Sequence, residues 1–226
     1  YLSWCGQLFI SGQDIGFDIG STSWYKIWLK ATYILDDTSQ ENVTGCCGSL
    51  FEGLDLLLYG SDSANNNDFP SQIAPYGGST AALYYDNDPN IVGGVQYLNA
   101  TDYRLVYFAF PFEAKNGSET RAQVIKRILD ATALPIVKIY NYSIFIKNES
   151  LLLKLCLAAR AFNYIRHVDL FANDTTIISE DPSTRVLICN VTYNISTWPV
   201  GAINITFRIT DGASQVATYS ITIPVH

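Results

Sequence analysis

Two kinds of hydrophobic patterning divide the chain. Up to about residue 132, short apolar runs alternate with stretches whose apolar residues recur at helical spacing. Gln7 to Ser11 is an apolar run closed by Gly12 and predicts a buried strand. Thr22 to Ile34 carries Trp24, Ile27, Trp28 and Tyr33 near helical spacing and predicts a helix. Leu54 to Tyr59, Ala81 to Tyr85 and Arg104 to Phe110 predict further strands. The stretch from Gly60 to Pro75, with three consecutive Asn and two Pro, predicts a loop. Glu119 to Ala131 predicts a helix: Val124, Ile125, Ile128 and Leu129 share a face, Glu119 suits the positive end, and Ser118 is a candidate cap. Strands alternating with helices predict an α/β layer architecture.

From Ala133-Leu134-Pro135 onward the period changes to two. Leu187, Cys189, Val191, Tyr193 and Ile195 are apolar, and Asn190, Thr192 and Asn194 lie between them. Ile203, Ile205, Phe207 and Ile209 alternate with Asn204, Thr206 and Arg208, and Ala217 to Ile223 repeats the pattern. Strict alternation predicts antiparallel strands with one wet face. Repeated short strands of this kind predict a β-sandwich. The expected organisation is an α/β domain over 1–132 and an all-β sandwich over 134–226.

Polar positions on the predicted wet face carry a second signal. Asn-x-Ser/Thr begins at Asn42, Asn99, Asn116, Asn141, Asn148, Asn173, Asn190, Asn194 and Asn204, never with Pro between. That is several times what chance placement of fifteen Asn gives in 226 residues with 35 Ser and Thr. Such sites accept N-linked glycans only on a secretory route and at a surface. The expectation is an extracellular or cell-surface glycoprotein.

Composition narrows the classes. Acids outnumber bases by seven, which argues against a nucleic-acid binder. No apolar run is long enough to span a membrane. The start, Tyr1-Leu-Ser-Trp, is not a signal peptide, so the chain reads as a processed or excised piece. Cys5, Cys46, Cys47, Cys156 and Cys189 form no C-x-x-C pair, so zinc has little support. In an oxidising compartment, disulfides are the default. Cys5 with Cys46 or Cys47, and Cys156 with Cys189, are the candidate pairs. Parity on the Leu151–Ala159 strand, however, turns Cys156 away from the apolar face on which Cys189 lies.

The stretches Leu8-Phe-Ile-Ser-Gly-Gln-Asp-Ile-Gly16, Gly60-Ser-Asp-Ser-Ala-Asn-Asn67, Ile73-Ala-Pro-Tyr-Gly-Gly78 and Val106-Tyr-Phe-Ala-Phe-Pro-Phe-Glu-Ala114, with Arg121 opening the last helix, carry a resemblance. This front part resembles a flavodoxin-like, class I glutamine-amidotransferase-like domain that accompanies secreted peptidases and surface proteins. In that family several strand–helix units precede the first of these stretches. The resemblance therefore implies a partial layer with an open edge and a bare apolar face, covered by upstream precursor or by a neighbouring subunit. His167-Val-Asp-Leu-Phe-Ala-Asn-Asp174 and Thr197-Trp-Pro-Val-Gly-Ala-Ile-Asn-Ile-Thr-Phe-Arg-Ile-Thr-Asp-Gly212 resemble a bacterial or archaeal immunoglobulin-like domain. That likeness implies fold and says little about ligand.

The amidotransferase resemblance places a nucleophile on the turn at Ser11, with a His as base. The chain has only His167 and His226, both outside the front part, and no Cys at that turn. The expectation is no enzyme. Gly12 and Asp14 then serve a structural turn. Asp62 and Asp68, with Asn65 and Asn67, and Asp86 and Asp88, with Asn87 and Asn90, are weak candidates for a hard cation such as Ca²⁺. Polar turns account for them more simply. His167 reads as a surface or satisfied strand residue, and Trp24, Trp28 and Tyr33 read as core rather than a ligand cage.

The first expectation for function is a secreted, heavily N-glycosylated structural module, a subunit of an extracellular filament or surface layer, with an archaeal surface the best fit. It would assemble through completed sheet edges, with copies of itself or with upstream precursor as partner. The alternative is a non-catalytic accessory tail of a secreted peptidase. A weaker third is a carbohydrate-binding module using exposed Tyr and Trp.

Overall fold

The computed structural model describes residues 2–4, 6–99, 102–147, 150–198 and 201–225. About half the chain is strand (51%), and only three α-helices are present among the described residues. The strands form two sheets. Residues up to 108 build an eight-stranded sheet, and residues from 136 build a six-stranded one.

The first sheet contains β1 (Gln7–Ser11), β2 (Ala31–Leu35), β3 (Asn42–Gly45), β4 (Asp55–Leu57), β5 (Gln72–Pro75), β6 (Thr80–Tyr85), β7 (Val92–Leu98) and β8 (Arg104–Phe108). Its order is β1-β8-β7-β6-β3-β4, with β2 joined through β5 to β7. Only the β1–β8 ladder is parallel. Residues of β8 alternate between two cores. Val106 and Phe108 pack toward α3 (Ser118–Ala133), with Val124 and Ile128. Leu105 and Tyr107 pack with Tyr25 and Leu29, beside α1 (Ile15–Ile19) and α2 (Ser23–Trp28). Full burial of each such side chain contributes about 1.5–3 kcal/mol.

The expected α/β flavodoxin-like layer is therefore corrected to a mostly β, largely antiparallel arrangement. Two local features explain the difference. The expected helix over Thr22–Ile34 ends at Leu29, because Lys30 takes a left-handed backbone (φ 51°) and the chain leaves as β2. Strand β7, which contains Gly93-Gly94, is not among the strands expected from the sequence. It inserts between β6 and β8 and makes both ladders antiparallel. A Cβ on Gly93 would come 2.8 Å from the Tyr85 ring, so glycine is what lets that aromatic lie against the strand. Helices of five and six residues are also too short to serve as the usual parallel crossovers. Buried apolar clusters lie on both faces of the sheet, one with α3 and one with α1 and α2, so the expected bare face is not seen among the described residues. The outer edge of β1 carries no strand among the described residues.

The second sheet contains β9 (Ile136–Lys147), β10 (Ser150–Ala172), β11 (Thr175–Glu180), β12 (Thr184–Asn194), β13 (Gly201–Asp211) and β14 (Val216–Val225). The immunoglobulin-like sandwich is also corrected: this is one sheet curled into a near-barrel. The 23-residue β10 explains how. Its first part pairs with β9 and β12, and its second with β13 and β11. Leu153, Leu155, Leu157, Ala159 and Ala161 face the core, and then the parity switches to Val168, Leu170 and Ala172. Register shifts between Arg160 and His167 accompany the switch. A strand that changes its inward face mid-length lets one sheet enclose its own core.

Arg104 ties the two sheets together. Its buried guanidinium donates to the carbonyls of Ala131 (3.3 Å), Leu134 and Pro135 (3.2 Å), capping the end of α3 where the chain enters β9. Among the described residues no helix is long and apolar enough to cross a membrane.

Candidate functional site

The densest polar chemistry lies on the outer face of the second sheet. Asp169 of β10 stands in register with Ser179 of β11 on one side and Arg208 of β13 on the other. Alternation explains the placement: Val168 and Leu170 face inward, so His167 and Asp169 face out. Arg208 donates to Asp169 Oδ2 through Nε (3.1 Å) and Nη2 (2.7 Å), and its guanidinium lies 5.0 Å from the Phe171 ring centre. Ser179 Oγ donates to Asp169 Oδ1 at 3.0 Å. The His167 ring bridges two carboxylates, with Nε2 3.0 Å from Asp169 and Nδ1 2.6 Å from Asp181.

The order Ser179–His167–Asp181 has the distances of a hydrolytic triad, since Ser179 Oγ is 3.1 Å from Nε2. Its electrostatics differ. The bond to Asp181 is the largest effect and raises the His167 pKa; burial opposes it, and Asp169 adds to the rise. Burial works to raise the Asp169 pKa, but bonds from Arg208, Ser179 and His167 outweigh it and hold the carboxyl below its ordinary range. A ring with a carboxylate on each nitrogen favours imidazolium, which cannot accept the Ser179 proton. Asp169 also sits against both Nε2 and Oγ. What the cluster can do is lock β11, β10 and β13 together. Sequence reasoning took His167 as a surface or satisfied strand residue and did not identify its three partners, Asp181, Asp169 and Ser179. The available signal was the alternation that puts His167, Asp169 and Arg208 on one face.

The sequon asparagines divide by position. Asn141, Asn173, Asn190, Asn194 and Asn204 are exposed. Asn141 and Asn190 flank Cys156 in one cross-strand row. Asn194 Oδ1 accepts from the Ser196 N–H at 2.9 Å, inside its own sequon. Asn173 Oδ1 accepts from the Asn204 N–H at 2.8 Å, which makes these two neighbours. Asn42, Asn99 and Asn116 are partly buried. The Asn116 amide lies 2.2 Å from where a Gly60 Cβ would stand. Asn148 lies outside the described residues, as do Cys5 and His226.

Cys46, Cys47, Cys156 and Cys189 are free thiols. The expected Cys156–Cys189 bond is not formed. Cys156 is opposite Asn190 while Cys189 is opposite Leu157, so the two side chains leave opposite faces. Burial pushes the Cys46 thiol up to about 11, partly offset by a bond with Tyr84.

The acidic turn residues have local partners. Asp62 accepts from the Gly117 N–H at 2.6 Å and from Arg121 at 3.1 Å. The Gly117 bond is the leading cause that holds its carboxyl low. Asp88 Oδ1 accepts from the Asn90 N–H at 2.9 Å. Asp86 occupies a left-handed turn (φ 46°). Asp68 lines an open polar cleft with Glu41, Asn65 and Asn67. Among the described residues no three His, Cys, Asp or Glu converge as a metal site. At the β1 turn, Ser11 Oγ accepts from the Phe112 N–H at 3.3 Å, and Asp14 caps α1 without a side-chain bond. No protein-family model matches the chain, and no curated protein matches it.

Proposed function

We propose that the chain is a secreted, N-glycosylated structural module of an extracellular assembly such as a filament or surface layer. The observation that carries this reading is the placement of Asn141, Asn173, Asn190, Asn194 and Asn204. All five are exposed, four on strands and Asn173 in the turn between β10 and β11, on a sheet whose other face packs an apolar core. A glycan at such a position costs the core nothing and shields the sheet. The outer edge of β1 supports the assembly part, because its backbone groups can take a further strand from a neighbour. Phe17 on α1, and Ile27 and Trp24 on α2, are about half exposed or more and add apolar surface, so Trp24 is not the core residue its spacing suggested.

The test is the intact mass of the native secreted protein before and after chemical deglycosylation, with electron microscopy of the same material. Glycan mass at several sites and ordered multimers are expected. An unmodified, monodisperse single chain would remove the proposal.

A further inference from the structure

The second sheet does not fill its interior completely. A cavity of about 200 Å³ lies between β10, β11 and β12. Its walls include Leu157 and Leu170 of β10, Ile178 of β11, and Leu187, Cys189 and Val191 of β12. Protein interiors are close-packed, and an apolar void of about 150 Å³ is dry and large enough to take benzene. Here the walls from β11 and β12 are only partly buried, so the space communicates with solvent. Strands β11 and β12 run in line along the same side of β10, and the interruption between them, at residues 181–183, leaves the gap. Glu180 and Pro182 line the cavity at that gap, and Asp181 between them is tied to His167.

We propose that this cavity is a binding site for a small apolar molecule, or for the apolar end of a larger one. The volume and the lining chemistry set the class. The walls offer hydrocarbon and one thiol, so the buried part of the ligand is hydrocarbon. Glu180 is exposed and is the one charged residue in the lining, so the protruding head is neutral or cationic, and an anionic head is repelled. Cys189 reports on occupancy, because its thiol forms part of the wall.

The experiment uses the whole chain and three six-carbon probes: hexanol, hexylamine and hexanoate. Methyl methanethiolsulfonate modifies the thiols, and mass spectrometry follows the Cys189 peptide, with exposed Cys47 as internal control. Hexanol and hexylamine are expected to slow modification of Cys189 by about tenfold at ten times their Kd, leaving Cys47 unaffected. Hexanoate is expected to protect far less. Val191→Phe and Leu187→Phe each fill the space, and whichever remains folded by circular dichroism should lose the protection. Cys189 reacting at one rate with and without every probe overturns the site. So does protection that survives in a folded, filled variant. Equal protection by hexanoate overturns the assignment of the head group. None of these readouts depends on glycans or on assembly.

Discussion

Asp169 of β10 and Arg208 of β13 face each other in register, and the guanidinium holds one carboxylate oxygen through two nitrogens, at 3.1 and 2.7 Å. The pair is unequal: the Asp169 side chain is 8% exposed and that of Arg208 is 47% exposed. Removing the cation takes both donors from one oxygen of a nearly buried carboxylate and leaves it only Ser179 and His167 on the other, whereas removing the anion leaves a guanidinium that water can reach. Arg208→Leu should therefore cost more than Asp169→Asn, with the latter at about 1–3 kcal/mol. Urea unfolding of the two variants and their double mutant measures this. Equal costs, or none, would contradict the reading.

Stability should depend on pH through His167 and Asp169. The His167 pKa is raised in the fold, so its contribution is fully present below about pH 6.5 and is lost as pH rises through the folded value. The Asp169 pKa is lowered, so its contribution is present above about pH 4 and is lost as pH falls through the folded value. The cluster thus supports the fold best between about pH 4 and pH 6.5. His167→Gln should flatten the loss on the alkaline side of a urea-midpoint profile. A variant that keeps the full slope would show that His167 is not its source.

Arg104 should be hard to replace. Its fork satisfies three carbonyls at the end of α3 from a buried position. Arg104→Met leaves those acceptors unpaired, at about 2–4 kcal/mol. Arg104→Lys should recover only part, since an ammonium cannot reproduce the planar fork. Thermal unfolding of both variants checks the order.

Two glycines should respond differently to alanine. A Cβ on Gly45 would stand 1.7 Å from the Phe51 carbonyl oxygen, so the backbone itself must move. At Gly53 the space is open and only the left-handed backbone (φ 77°) resists. Gly53→Ala should cost about 1–2 kcal/mol, and Gly45→Ala clearly more. Chemical denaturation giving the reverse order would be inconsistent with this packing.

Sequon occupancy should follow exposure. Asn116 presses its amide against Gly60 and is partly buried, while Asn190 stands free on the outer face. Glycopeptide mapping of native material should find Asn190 modified and Asn116 bare. A fully occupied Asn116 would mean that the loop at Gly60 packs differently in the native protein.

The sequence by itself determined the local elements wherever one physical signal dominated. Strict alternation marked β12, β13 and β14, because a half-buried strand must repeat every two residues. The apolar stripe of Val124 and Ile128 marked α3. Parity also set Cys156 and Cys189 on opposite faces. Only the tertiary structure decided how these pieces join. Gly93-Gly94 carries no strand signal alone and becomes β7 once Tyr85 and Phe108 pack against it. The left-handed turn at Lys30 converts helical spacing into β2. Asp169, Ser179 and Arg208 meet through strand register, which depends on partners up to 39 residues away. Local periodicity reports which face a residue shows. It carries no information about which strand lies opposite, and that choice made this chain a mixed sheet and a curled near-barrel.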